Sequence, residues 1–69
     1  MTIKEQIAKW GYTKIIIYKG GIKRGAKVYE GEPPYKDIPK DIANAPLIGY
    51  EIDCREKIMY LEAGKRIDD

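Results

Sequence analysis

The residues best equipped to grip a ligand crowd into Tyr18–Lys27, YKGGIKRGAK, where Lys19, Lys23, Arg24 and Lys27 share ten positions with three glycines. Clustered cations contact phosphates without reading bases. Tyr18 and Tyr29 flank the cluster, and exposed aromatics beside cations can stack the bases of a single strand. Residues 18–29 are therefore the candidate contact surface, either for nucleic acid or for an acidic protein. A plain hairpin tip with a solvated basic face is the competing structural reading. The glycines do not form a nucleotide-binding signature. A phosphate-cradling loop ends in glycine-lysine-Ser/Thr and opens a helix, whereas GGIKRGAK joins one strand-like segment to another.

Catalytic chemistry has little to work with. The chain contains no serine and no histidine, which removes the common nucleophile–base pairs. Cys54 is the single cysteine, set in IDCREK beside Arg55 but flanked by Asp53 and Glu56. It is read as a turn residue, with no disulfide and no Cys/His zinc site to join. Carboxylates such as Glu30 and Glu32 fall in a polar connection and are read as solvated surface. A non-enzymatic protein without cofactor or metal is expected.

The elements that carry these residues follow from patterning. TIKEQIAKWG has a helix start at Thr2 with Glu5 completing a capping box, and a stop at Gly11. Ile3, Ile7 and Trp10 form the stripe expected to lie on a sheet. TKIIIYK and AKVYE are β-branched and short, hence a hairpin. A loop from Lys19 to Gly25 would pair Ile16 with Val28 and Lys14 with Glu30. A tight turn at Gly20-Gly21 would instead oppose Lys14 and Lys27, unless a bulge at Gly25 corrected it. The adjacent prolines of EGEPPYKDIPK end the β pattern. A short helix over residues 40–45 follows Pro39, turns Ile42 inward and stops at Pro46. LIGYEID and KIMYLE make a second hairpin around Cys54-Arg55, with Ile48 facing Leu61 and Tyr50 facing Met59.

The expected fold is a single α+β domain over residues 1–69, ordered α-β-β-α-β-β. An antiparallel sheet of about four strands carries the N-terminal helix on one face. Residues 1–12 form the helix and its cap, 13–62 the two hairpins and their Pro-rich link, and 63–69 a frayed tail.

Charge is uneven: the net value is +2, yet residues 14–27 hold five cations and no anion, while residues 28–69 hold six cations against ten anions. A positive lobe on a mildly acidic body is expected. The longest apolar run, Ile15–Tyr18, is far below the roughly 20 residues of a membrane span, so a cytoplasmic protein is expected. A chain of this size buries only about 60% of its unfolded surface. With no disulfide or metal to reinforce it, self-association remains, and a symmetric homodimer is expected, by edge pairing or by packing of apolar sheet faces, with the N-terminal helix or strand Ile15–Tyr18 supplying the contact.

Taken together, KIIIYKGG, KVYEGEP, DIPKDI and LIGYEIDCREKIMYLE resemble the small accessory proteins encoded by phages and prophages of AT-rich Gram-positive bacteria. The likeness covers roughly residues 13–62 and lies in length, Ile/Lys/Tyr usage and strand order. It implies a stoichiometric binder that blocks a host or defence protein. It assigns no functional residue.

Overall fold

The computed structural model describes residues 1–10 and 13–64. Its elements are α1 (Ile3–Trp10), β1 (Lys14–Lys19), β2 (Ala26–Gly31), α2 (Lys40–Ala43), β3 (Leu47–Asp53) and β4 (Ile58–Ala63), in the expected order. The four strands form one sheet in the spatial order β2-β1-β4-β3. Each hairpin is antiparallel, but the inner strands β1 and β4 pair in parallel. The sheet is therefore mixed, which corrects the purely antiparallel expectation.

The physical reason lies in β1. Ile15, Ile16 and Ile17 are at most 9% exposed, and a strand buried on both faces reads as a continuous apolar run and belongs inside a sheet. With β1 and β4 central, the chain leaves β2 on one edge and must enter β3 at the opposite edge and opposite end. Residues 32–46, including α2, make that diagonal crossing beneath the sheet. Two tyrosines tie the crossing down. The Tyr29 hydroxyl donates to the Lys36 carbonyl at 2.9 Å, and the Tyr35 hydroxyl donates to the Thr13 carbonyl. Burial raises the pKa of both phenols.

One sheet face carries the helices. Ile3, Ile15, Ile17, Ile42, Ala45, Met59, Leu61 and Ala63 form its core, with Ile7, Val28, Tyr29, Tyr35, Ile38 and Leu47 packed around them. A fully buried Ile or Leu contributes about 1.5–3 kcal/mol by leaving water. The capping box forms as expected: Glu5 N–H donates to Thr2 Oγ1 at 3.2 Å, and Thr2 N–H to Glu5 Oε1 at 2.8 Å. These bonds hold the Glu5 carboxyl below its usual range. The inward stripe of α1 differs from the expected one. Gln6 is only 4% exposed, with its Nε2 directed at Met59 Sδ 3.9 Å away, while Trp10 is 41% exposed. The helix is rolled toward Gln6, on the stripe shared by Ile3 and Ile7. Gly11 lies outside the described residues.

Both hairpins depart from the expected registers. In the first, Lys19 pairs with Ala26 and Tyr18 with Lys27, but Ile17 pairs with Tyr29 and Ile16 with Glu30. The wide loop is present as Gly20–Gly25, and the bulge falls at Val28 rather than Gly25. In the second, Tyr50 pairs with Leu61 and Ile52 with Met59, two residues from the expected register. A two-residue slip keeps Tyr50 and Ile52 on the face of Leu61 and Met59, and a bulge at Ile48 brings Leu47 opposite Ala63 on that same face. The turn is longer because Asp53 Oδ1 accepts from the Arg55 and Glu56 N–H groups, both at 3.0 Å. Ala63, assigned to a frayed tail, closes β4 and is 2% exposed. The rest of that tail, residues 65–69, lies outside the described residues. Among the described residues, no helix is long and apolar enough to cross a membrane.

Candidate functional site

The YKGGIKRGAK loop is built by backbone before it is built by charge. Gly20 (φ 92°), Gly21 (φ 121°) and Lys23 (φ 66°) all occupy the left-handed region, which costs glycine little and lysine more. The Gly25 N–H donates to the Gly21 carbonyl at 2.8 Å. Gly25 packs so tightly that an added Cβ would lie 2.1 Å from the Lys19 carbonyl oxygen. The loop therefore folds back rather than projecting as a free hairpin tip.

It folds over the sheet face opposite the helices. Lys23 Nζ sits 4.5 Å above the Tyr60 ring and 3.1 Å from Glu51 Oε2, reaching from the first hairpin across to β3. The Tyr60 ring lies 6.3 Å from that of Tyr18. Ile22 approaches Gly49, where a Cβ would stand 4.0 Å from Ile22 Cδ1. Sequence reasoning missed Glu51 and Tyr60 as partners of Lys23, because nothing local in YEID or IMYLE announces a lysine from a distant loop.

Strand alternation divides the four candidate residues that lie on strands between the two faces. Tyr18 and Lys27 pair on the open face. Lys19 stands opposite Ala63 of β4, and Tyr29 opposite Ile17 of β1, so both belong to the helix-bearing face. Tyr18 and Tyr29 thus cannot flank one surface. The charge cluster is also internally paired. Glu30 accepts from Lys14 Nζ at 2.8 Å and from Lys27 Nζ at 2.7 Å, so its carboxyl is pulled down to about 2 by Lys14 first and Lys27 second. Hydrogen bonding to Glu30 raises Lys14 and Lys27, and Glu51 raises Lys23 in the same way. Among the described residues, Lys19 and Arg24 are the candidate cations that make no ion pair.

The open face is consequently mixed in sign. Lys14, Lys23 and Lys27 stand with Glu30, Glu51, Asp53 and Glu62 around Ile16, Tyr18, Tyr60 and Ile58. Such a surface can form discrete salt bridges around an apolar centre. It does not offer a continuous positive track for a phosphate backbone. Cys54 is exposed in the β3–β4 turn, beside an open depression lined by Thr13, Ile52, Asp53, Lys57 and Ile58. No imidazole faces it, and the Asp53 carboxylate is occupied by the turn. Among the described residues, no group of three or more Cys, Asp or Glu side chains is arranged to hold a metal ion.

Comparison of the chain with protein-family models, with curated proteins and with solved structures found no match.

Proposed function

We propose that the protein is a non-enzymatic accessory factor that acts by stoichiometric binding to another protein through its open sheet face and fold-back loop. The observation that carries this reading is the mixed-sign face itself. Alternating charges fix register and exclude wrong partners, and that is the polar rim of a protein interface. The loop is also preorganised, with its conformation set by Gly25 packing and by the Lys23 contacts, so little ordering cost remains at binding. The likeness of residues 13–62 to phage accessory proteins favours a host or defence protein as the target, with blockade as the outcome.

Nucleic-acid binding through residues 18–29 is the second reading, and it rests on Arg24 and Lys19, the two unpaired cations of the loop region. The pairing of Lys23 with Glu51 and of Lys27 with Glu30 weakens it. Capture from host lysate by the tagged protein tests the first reading. A partner retained at one-to-one stoichiometry, and lost when Arg24→Glu and Glu51→Lys are introduced together, is the expected result. Recovery of no stoichiometric protein, or retention undiminished by the double substitution, would count against it.

A further inference from the structure

Charge around Tyr60 does not balance. Glu51 stands opposite Tyr60 across the β3–β4 ladder, and Glu62 follows two residues along β4 on the same face. Against these two carboxylates stands the Lys23 ammonium, which pairs with Glu51 at 3.1 Å and lies over the Tyr60 ring. Lys27, on the far side of Tyr18, is committed to Glu30. Among the described residues Glu62 makes no ion pair, although it is half-buried.

The flanks of Glu62 suit a cation. Its partner on β1 is Tyr18 and its partner on β3 is Gly49. Strand Ile15–Tyr18, expected to supply a dimer contact, has both edges occupied by β2 and β4, so Tyr18 reaches another chain only from the open face. Its ring lies 6.3 Å from that of Tyr60, and among the described residues no cation is stacked on it. On the other flank Gly49 keeps side-chain atoms away: even an added Cβ would stand 3.5 Å from Glu62 Oε1. Toward the end of the sheet, Glu62 borders an open depression walled by Lys19, Ala26, Val28, Ile48 and Ala63. Lys19 does not pair with it.

From this arrangement we infer that Glu62, Tyr18 and Tyr60 receive an arginine side chain of the partner protein. The inference rests on the open face being the binding surface and adds the chemistry that the partner must present. A guanidinium donates two parallel N–H bonds to a carboxylate, and its plane stacks on a tyrosine ring. The apolar walls beyond Glu62 cover its methylene stem. Lys23 already shows the same device within the chain, a cation held by an aromatic face and a carboxylate. The incoming arginine brings the two carboxylates into balance with two cations. A partner with an apolar residue here would strip water from Glu62 without replacing its hydrogen bonds, so the site also selects against wrong partners.

The test titrates the full chain with acetyl-Ala-Arg-Ala-amide and with its citrulline counterpart, which keeps the shape but carries no charge. NMR follows the ring protons of Tyr18 and Tyr60 and the Glu62 carboxyl carbon. All three should move saturably with the arginine peptide. The citrulline peptide should bind about fivefold more weakly, the upper end of what a solvent-accessible ion pair supplies. Glu62→Gln should weaken the arginine peptide by a similar factor and leave the citrulline peptide unchanged, with circular dichroism reporting that the fold is kept. Absence of saturable movement, equal binding of the two peptides, or indifference to Glu62→Gln overturns the inference. Binding that emerges only after Arg24→Gln would make this chain's own Arg24 the occupant and overturn it too. The titration needs no captured partner, so the two readings fail separately. A one-to-one partner from lysate that ignores Glu62→Gln would remove the arginine and leave the proposed function standing.

Discussion

Glu30 joins two ammonium groups and thereby fastens the end of the first hairpin nearest the crossing segment. Its carboxyl is held at about 2 in the folded chain, against an ordinary value near 4.5. A carboxyl depressed by folding contributes stability that is fully present above its unfolded pKa and is lost as pH falls through the folded one. The pair should therefore weaken between about pH 4.5 and 2, with the Glu30 carboxyl carbon titrating in NMR well below the ordinary carboxylate range. Glu30→Gln should remove that part of the acid dependence. Titration of Glu30 at an ordinary carboxylate value would show that the bridge is not held. The wide-loop register sets Lys14 directly opposite Glu30, whereas the structure sets Ile16 there and Lys14 reaches the carboxylate diagonally, so the ion pair forms but not through the expected register. The second ammonium, from Lys27, is not legible in the sequence, since it depends on the bulge at Val28, and no residue type in AKVYE marks where a bulge will fall.

At the scale of elements, helix caps and strand patterns were readable because they depend on neighbours in sequence. Thr2 and Glu5 announce the start of α1, Ile42 the buried side of α2, and the alternation of LIGYEID and KIMYLE the apolar face of the second hairpin. Registers were less readable: an Asp53 side chain capping its own turn shifts the pairing of Tyr50 and Ile52 by two residues, and a bulge at Ile48 turns Leu47 onto their face. The roll of α1 toward Gln6 was also hidden, because hydropathy favours Trp10 for the inward stripe. Gly25 is the element-scale determinant of the loop. Its role is close approach to the Lys19 carbonyl, where a Cβ would stand 2.1 Å away. Gly25→Ala should consequently destabilise the protein by about 2 kcal/mol or more, within the tail reserved for steric disruption. Urea unfolding would measure it, and a loss below about 0.5 kcal/mol, typical of neutral surface changes, would mean the loop relaxes freely.

For the whole molecule, the sheet order was the feature least available from local pattern. A meander and the observed β2-β1-β4-β3 order use the same hairpins, and only the burial of β1 on both faces decides between them. That order determines the function proposed, because it brings Glu51 and Tyr60 from the second hairpin beneath Lys23 of the first. Of the four cations in ten residues, Lys23 and Lys27 join carboxylates on a mixed face and Lys19 stands on the other side. The most direct test of this charge pairing is a salt titration of oligonucleotide binding by fluorescence anisotropy, with mixed-sequence duplex and single strands. The two loop cations without an ion pair, Lys19 and Arg24, give the loop a log-log slope on duplex DNA of at most about −1.8, at about −0.9 for each phosphate neutralised. The account predicts weak binding with a slope no steeper than that, unchanged by Lys23→Ala. Tight binding with a slope near −3.6, four contacts at about −0.9 each, and loss of affinity on Lys23→Ala would contradict it and return the loop to nucleic acid.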